Sequence, residues 1–397
     1  MYETAVISRP KRLLSGHPWV FSNELDGSPR RFTPGALLEL RDKKGAFLGI
    51  GYVNPASLIS IRVLTRRMEE INHAFFENRI RAALDYRRRI GIDIGHDAAF
   101  RAVFSEGDLL PGLIVDKFGS CLCVQLLTLG METLADIVIK ALEAVFQPET
   151  IVLKNDGNAR TLEGLSLEKR VIKGELTILP RMTENGVTLE VDPMSGQKTG
   201  FFLDQRENRT AFAAIAGRAQ GRVLDLFCYT GAWSLQLAKT GAHVTGIDSS
   251  ETAITQARTN ASLNGLDSRC EFIKADVFAF LKSGAANGAR YSSIVLDPPA
   301  LVKSKAKIAE ATRAYRELNA AGMRLLEPGG LLATSSCSYH VDRAAFMEIL
   351  RAAARDAKVS VRVIEVRGQA KDHPISLSAP ETEYLKSMFL EVNPTTN

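Results

Sequence analysis

The chain is poor in cysteine: Cys121, Cys123, Cys228, Cys270 and Cys337 are odd in number and scattered over 397 residues. That excludes the disulfide framework of a small secreted scaffold and fits a reducing compartment, so a cysteine with a chemical role is expected to work as a thiol. No run of roughly 18 apolar residues occurs, so no membrane partner is expected. The opening Met1-Tyr2-Glu3-Thr4-Ala5 lacks the charged start and apolar stretch of a secretory signal, which makes the cytoplasm the expected location. The histidines show no metal-ligand spacing and the Cys121/Cys123 pair has no second pair, so no metal is expected. Neither sign of charge dominates, with 50 Lys+Arg against 45 Asp+Glu and a net charge of +5. The surplus is localised, however: residues 1–100 carry 16 basic and 11 acidic side chains, and the rest of the chain is balanced. This asymmetry points to a polyanion-binding N-terminal module, with a solvated helix face over Arg79–Arg89 as the plain alternative.

What is present is ordinary globular material. Hydrophobic residues make up 45% and charged residues 24% of the chain, which argues against disorder, collagen or repeats. The length allows two or three domains. Residues 1–70 hold short β-like runs (Leu37–Arg41, Phe47–Val53, Leu58–Leu64) separated by Gly35, Gly45 and Asn54-Pro55, the pattern of a small barrel. Phe75, Ile80, Ala83, Leu84 and Ile90 lie near helical spacing, predicting a connecting helix over 72–92. Between about 100 and 190, strand-like runs surround one helical stretch, Leu134–Val145, an α+β pattern. From about 200 onward short apolar strands alternate with helices: Val223–Leu226, Val244–Asp248, Cys270–Lys274, Ser293–Asp297 and Leu331–Thr334. Such alternation predicts an α/β, doubly wound parallel sheet with its ligand at the carboxyl ends of the strands. The expected domains are therefore 1–70, 71–192 and 193–397.

The strand, tight turn and helix start at Val223–Ser234 are followed by Asp248 at the end of the next strand, where a carboxylate can accept both ribose hydroxyls of a nucleoside. The turn carries Gly231 alone, whereas a dinucleotide fingerprint needs three glycines for close approach to a pyrophosphate. An adenosyl ligand without phosphates, S-adenosylmethionine, is therefore favoured over NAD or FAD. Asp225 and Asp276 complete the row of strand-end carboxylates, Asp276 being placed to meet the exocyclic amine of adenine. Leu296-Asp297-Pro298-Pro299 ends the fourth strand; two prolines fix the backbone so that Asp297 faces a planar base edge. Lys303, Lys305 and Lys307 lie just downstream, as phosphate contacts or as a solvated helix start. Cys337, in Thr334-Ser335-Ser336-Cys337-Ser338, follows the fifth strand and should face the cleft of Asp297. A buried, inert cysteine is the ordinary alternative. Beside a methyl-donor pocket a thiol has a specific use, because its addition to carbon 6 of a pyrimidine turns carbon 5 into a nucleophile.

With these motifs in place, the chain resembles the bacterial large-subunit ribosomal RNA (cytosine-5) methyltransferase family, RlmI type, over nearly its whole length. Gly16–Phe21, Pro34-Gly35 and Gly51–Pro55 resemble that family's PUA domain, an RNA-binding module. Leu110–Asp116 and Glu163-Gly164-Leu165 resemble its middle domain. The most specific stretch is Gly196-Gln197-Lys198-Thr199-Gly200-Phe201-Phe202-Leu203-Asp204-Gln205-Arg206, similar to the motif leading into the donor site. The resemblance implies a Rossmann-like class I methyltransferase domain in which Gln197, Thr199, Phe201 and Arg206 border the S-adenosylmethionine pocket with Asp225, Gly231, Asp248 and Asp276. It implies Cys337 as nucleophile and Asp297 as hydrogen-bond partner of the cytosine. Tyr339-His340-Val341 departs from the smaller or apolar residues of relatives at that point. Asp372-His373-Pro374 and Pro380–Lys386 also match, without an assignable role.

The function expected is methylation of carbon 5 of a cytosine in 23S ribosomal RNA, with the target base leaving its stack to enter the cleft. The base that removes the carbon 5 proton is not identified, Asp297 or a water it holds being the candidate. A homodimer is compatible with the sequence. Two rivals remain: methylation of a base nitrogen, since Asp-Pro-Pro loops serve that chemistry without a thiol, and a non-catalytic RNA-binding factor in ribosome assembly that binds no donor.

Overall fold

In the last half of the chain, strands carry apolar residues on both faces, and the structure, a computed structural model describing residues 2–218, 221–286, 288–301 and 307–395, shows why. Strands β13 (Arg222–Leu226), β14 (His243–Asp248), β15 (Cys270–Lys274), β16 (Tyr291–Leu296), β17 (Leu326–Ser336), β18 (Val359–Arg367) and β19 (Lys386–Pro394) form one sheet in the order β15-β14-β13-β16-β17-β19-β18. Neighbours from β15 to β17 run parallel, and β19 is antiparallel to both β17 and β18. Because successive side chains point to opposite faces, Leu224, Leu226, Ile294, Leu296, Leu332 and Leu390 enter one core with Leu281, Tyr315, Leu318 and Phe346 from the covering helices. Val223, Val244, Val295, Ala333 and Phe389 enter the other, with Phe212, Trp233 and Leu237. A sheet buried on both faces reads as continuous apolar runs, as Ile294-Val295-Leu296 of β16 and Leu331-Leu332-Ala333 of β17 do.

The chain divides into two compact units. The second comprises Thr183–Glu190, Asp204–Ala370 and Glu383–Asn397, and the first comprises Met1–Met182, Val191–Leu203 and Lys371–Thr382. Within the first unit, β1 (Glu3–Ile7), β2 (Trp19–Val20), β3 (Leu37–Asp42), β4 (Phe47–Val53) and β5 (Ile61–Thr65) make a five-stranded sheet ordered β1-β3-β4-β5-β2. The expected Leu58–Leu64 strand begins at Ile61, and β1 and β2 are additional. A helix over His73–Arg89 follows, capped by the Asn72 side chain accepting from the Phe75 amide. A second sheet, β10-β9-β8-β7-β6, contains β6 (Ala99–Phe104), β7 (Leu113–Phe118), β8 (Cys121–Leu126), β9 (Thr150–Asn155) and β10 (Glu168–Lys173), and β11 (Arg181–Glu184) pairs with β12 (Val187–Glu190) in a separate hairpin. The second sheet's parallel pair β8/β9 is joined through the helix Ala135–Phe146, as a parallel crossover requires. Among the described residues no helix is long and apolar enough to cross a membrane.

The segment Lys371–Thr382 is sewn into the first unit by buried polar bonds. Asp372 Oδ2 accepts the Arg101 amide at 2.9 Å, and its carbonyl accepts Arg87 Nη2 at 2.6 Å. Asp372 Oδ1 lies 2.8 Å from His373 Nδ1, and Glu381 lies 3.2 Å from His17 Nε2. The Asp372-His373 motif, to which spacing gave no role, thus anchors a late segment of chain.

Candidate active site

Strand register sets the site. Ile273, Ile247, Leu226, Leu296 and Thr334 stand side by side across β15, β14, β13, β16 and β17. The next residue on each strand opens the carboxyl edge, which brings Lys274, Asp248, Phe227, Asp297 and Ser335 into one row.

The β13 turn is folded around Asp248. Its Oδ2 accepts the Tyr229 amide at 3.0 Å and its Oδ1 the Ser250 amide at 2.9 Å. Phe227 and Tyr229 hold positive φ of 67° and 48°, conformations that cost a non-glycine residue about 1–3 kcal/mol and cluster at functional sites. Gly231, at φ 84°, begins the helix Ala232–Ala238; a Cβ there would meet the Phe272 ring at 3.0 Å. Gly246 likewise lets Phe272 and the Cys228 thiol close in, at 2.6 and 3.1 Å from where its Cβ would stand. Asp276, exposed at the end of the third strand's loop, caps the helix Val277–Ala286 through the Ala279 amide at 2.9 Å.

Asp225 is fully buried. Its Oδ2 accepts the Ser234 hydroxyl at 2.6 Å, whereas Oδ1 meets no donor among the described residues. Burial, with the charges of Asp297 and Asp248 adding to it, pushes the Asp225 carboxyl up to about 7. Between about pH 4 and pH 7 the folded protein therefore holds a proton that the unfolded chain has released, and ligand-free stability falls as pH rises through that window. Asp225→Asn removes the titration. Its urea midpoint relative to wild type is expected to rise from pH 4 to pH 7, whereas a difference that stays constant with pH contradicts this assignment.

Asp297 is oriented from two sides: Gln205 Nε2 donates to Oδ1 at 2.9 Å and Trp233 Nε1 to Oδ2 at 3.1 Å. The same Gln205 nitrogen lies 3.1 Å from Ser335 Oγ, and Gln205 Oε1 accepts from Asn208 at 2.6 Å. Cys337, half-buried, sits just past β17 on a turn whose ends are fastened. Ser338 Oγ pairs with Tyr315 Oη at 3.0 Å, the Ser338 amide reaches Ser336 Oγ at 3.3 Å, and Lys386 Nζ donates to the Ser338 carbonyl at 2.8 Å. Of the other thiols, Cys121, Cys123 and Cys228 are buried and Cys270 is half-buried; burial pushes Cys121 and Cys270 up to about 12 and raises Cys123 and Cys228 well above the ordinary thiol value.

Of the residues singled out in the sequence, Asp225, Gly231, Asp248, Asp276, Asp297 and Cys337 occupy this one edge of the sheet. Arg206 opens the helix Arg206–Ala216 of the same unit. Gln197, Thr199 and Phe201 lie on the Val191–Leu203 segment of the first unit. There Gln197 is exposed, Phe201 is buried, and the buried Thr199 hydroxyl donates to Asp116, itself held by Arg101 at 2.5 and 2.7 Å. Lys307 is exposed; Lys303 and Lys305 lie outside the described residues. Spacing did not single out Gln205, Trp233, Ser234 or Lys386 as site residues. All four stand inside quoted motifs, but their partners are met only in the folded chain, which spacing does not reveal.

Residues 8–66 match the model of a PUA-like domain and residues 218–385 that of a methyltransferase domain. The chain is 38% identical over 389 residues to the ribosomal RNA large subunit methyltransferase I of Klebsiella pneumoniae strain 342, covering 97% of this chain and 96% of the relative. It is 36% identical over 387 residues to the enzyme of the same name from Pseudoalteromonas atlantica, covering 97% of each. The chain belongs to the ribosomal RNA large subunit methyltransferase I family. Membership makes it a methyltransferase, with S-adenosylmethionine as the methyl donor. Two solved structures share its fold at 21% identity, each matched over 98% of this chain and 100% of its own. One, provisionally described as a SAM-dependent methyltransferase from Streptococcus mutans, superposes with a TM-score of 0.82, and the other, a methyltransferase complexed with SAH, with 0.84. In this member of the methyltransferase I family, the sheet edge with its four aspartates and one accessible thiol is the candidate active site.

Proposed function

We propose that the protein methylates carbon 5 of a cytosine in 23S ribosomal RNA in the cytoplasm, through a covalent adduct with Cys337. Residues 1–70 serve as the RNA-binding module, 71–192 as the middle domain and 193–397 as the transferase domain. The observation that carries the reading is the shared anchorage of the two chemical groups. Gln205 bonds both Asp297 and Ser335, and Cys337 stands two residues beyond Ser335 on a fastened turn.

The donor is a cation, a sulfonium that supplies an electrophilic methyl. The residues fit it: the unpartnered Oδ1 of Asp225 is a buried acceptor whose ionised form such a cation favours, and Asp248 retains lone pairs for a diol. Gly231, Asp276 and Arg206, in the same unit, are assigned to the same donor. Cys337 adds its thiolate to carbon 6 of the cytosine, and the ring electrons so displaced make carbon 5 the nucleophile that takes the methyl. Asp297 holds the cytosine edge while the donor leaves as the neutral thioether. Loss of the carbon 5 proton to a base and expulsion of the Cys337 thiolate restore the aromatic ring. Positioning supplies most of the acceleration, because the donor is already activated.

The test is the product. Incubation with ribosomal RNA from a strain lacking the gene, followed by nucleoside mass spectrometry, is expected to yield 5-methylcytidine; a nucleoside methylated on nitrogen overturns the reading, and no methylation favours the non-catalytic rival. RNA binding is assigned in the first unit to a cavity of about 360 Å³ lined by Arg9, Arg12, Phe21, Ser22, Asn23, Glu24 and Leu58, with Glu24 3.7 Å from the Arg12 guanidinium. There the Arg12 guanidinium lies 4.5 Å over the Phe21 ring. Replacing Arg9 and Arg12 by alanine is expected to weaken RNA binding and to flatten the plot of log affinity against log salt by about one for each phosphate no longer neutralised. An unchanged slope removes this surface from the account.

A further inference from the structure

The C-terminal strand β19 begins with a lysine where a surface residue would be ordinary. Lys386 stands opposite Ser336 in the β17/β19 register, one residue short of Cys337. It is 5% exposed. Two of its three N–H donors are spent on the carbonyls of Ser338, at 2.8 Å, and Tyr384, at 2.9 Å. The ammonium thus closes the turn that carries the thiol by holding the residue after the cysteine. A lysine seldom enters a protein interior without a compensating charge. The charged and titratable groups facing it are Cys337, Glu383 and Asp342. Glu383 is shared with Arg343 at 2.7 Å, and Asp342 caps the helix Arg343–Ala357 through the Ala345 amide. Tyr315, from the helix Ile308–Leu325, faces the same turn and meets Ser338.

We propose that Lys386 is a positioning residue for the methyl transfer: its buried ammonium is the fixed counter-charge of the Cys337 thiolate and holds the Cys337-Ser338 turn in the attacking geometry. This deepens the covalent reading and rests on it. Burial pulls Lys386 toward its neutral form, and a Cys337 thiolate opposes that pull, so each charge stabilises the other. When Cys337 is consumed by addition to carbon 6, the counter-charge is lost; when the thiolate is expelled, it is restored. The same ammonium therefore favours both the attacking thiolate at the start and its departure at the end.

Alkylation by iodoacetamide followed from pH 6 to pH 9 reads the thiolate directly, because burial keeps the other four thiols protonated over that range. In the wild-type protein, the half-point of Cys337 alkylation, located by peptide mass spectrometry, is expected below about pH 8.5, the ordinary cysteine value. Lys386→Met, of similar length, is expected to move it up by about one pH unit or more and to lower kcat at pH 7 about tenfold with the KM for donor unchanged. Lys386→Arg, which keeps the charge, is expected to retain the low half-point. A wild-type half-point at or above pH 8.5, or a Lys386→Met profile superposing on wild type, overturns the proposal. Should Lys386→Met fail to fold, the wild-type half-point and the arginine variant decide. The two readings fail separately: full turnover by Cys337→Ala sinks the covalent reading itself, whereas an inactive Cys337→Ala beside an unshifted Lys386→Met sinks only the role given to the lysine.

Discussion

Cys337→Ala is expected to lose methyl transfer by about 10⁴-fold or more, because removing the atom that makes the covalent bond leaves only positioning. Donor binding, measured by calorimetry, should stay within a factor of about three, since the carboxylates assigned to the donor are on other strands. The substitution is structurally mild: the side chain is half-buried, and the bonds that fasten its turn run through Ser336, Ser338 and Lys386. Single-turnover methylation of ribosomal RNA is the measurement. Retained activity would transfer the account to nitrogen methylation, which needs no thiol, and loss of donor binding together with activity would mean that the residue supports the fold instead.

The largest effect on stability is expected in the first unit, at Asp116. This carboxylate is fully buried, grips Arg101 through Nε and Nη2 at 2.5 and 2.7 Å, and accepts the Thr199 hydroxyl. Arg101 is itself 7% exposed and donates its amide to Asp372. Asp116→Ala removes the carboxylate that holds a buried guanidinium by two hydrogen bonds, a change that costs about 3–5 kcal/mol. It also frees Thr199, in the motif on which the family resemblance is strongest. Urea unfolding should show the loss. Asp116→Asn, which keeps a neutral acceptor, should recover part of it, and a loss below about 1 kcal/mol for the alanine variant would contradict the arrangement.

How much of this was legible beforehand follows from which physical signal each element carries. The five strands feeding the site lie within a few residues of their expected limits because strands buried on both faces are short apolar runs bounded by turns. The helix His73–Arg89 was legible from its apolar spacing. Strands β18 and β19 were not. Val359–Arg367 interleaves Val and Ile with Arg and Glu, and it is the exposed edge of the sheet, with Val363, Ile364 and Val366 facing solvent. β19 is inserted between β17 and β18 by an antiparallel return that no local pattern specifies. The strand-end aspartates were legible because a parallel sheet dictates where strands end. The groups that aim them, Gln205 and Trp233 on Asp297 and Ser234 on Asp225, were hidden by register, as was the pairing of Lys386 with the cysteine turn, whose two halves lie 48 residues apart in sequence.

The central claim, that the Cys337 sulfur bonds to the pyrimidine during turnover, is tested most directly with substrate RNA carrying 5-fluorocytidine. Fluorine at carbon 5 cannot leave as a proton, so the adduct is arrested after methyl transfer. With S-adenosylmethionine present, the wild-type protein should form an RNA complex that survives denaturing electrophoresis, and mass spectrometry should place the nucleotide on Cys337, with no complex from Cys337→Ala. Absence of any stable complex with a competent RNA, or its attachment to another residue, would contradict the account.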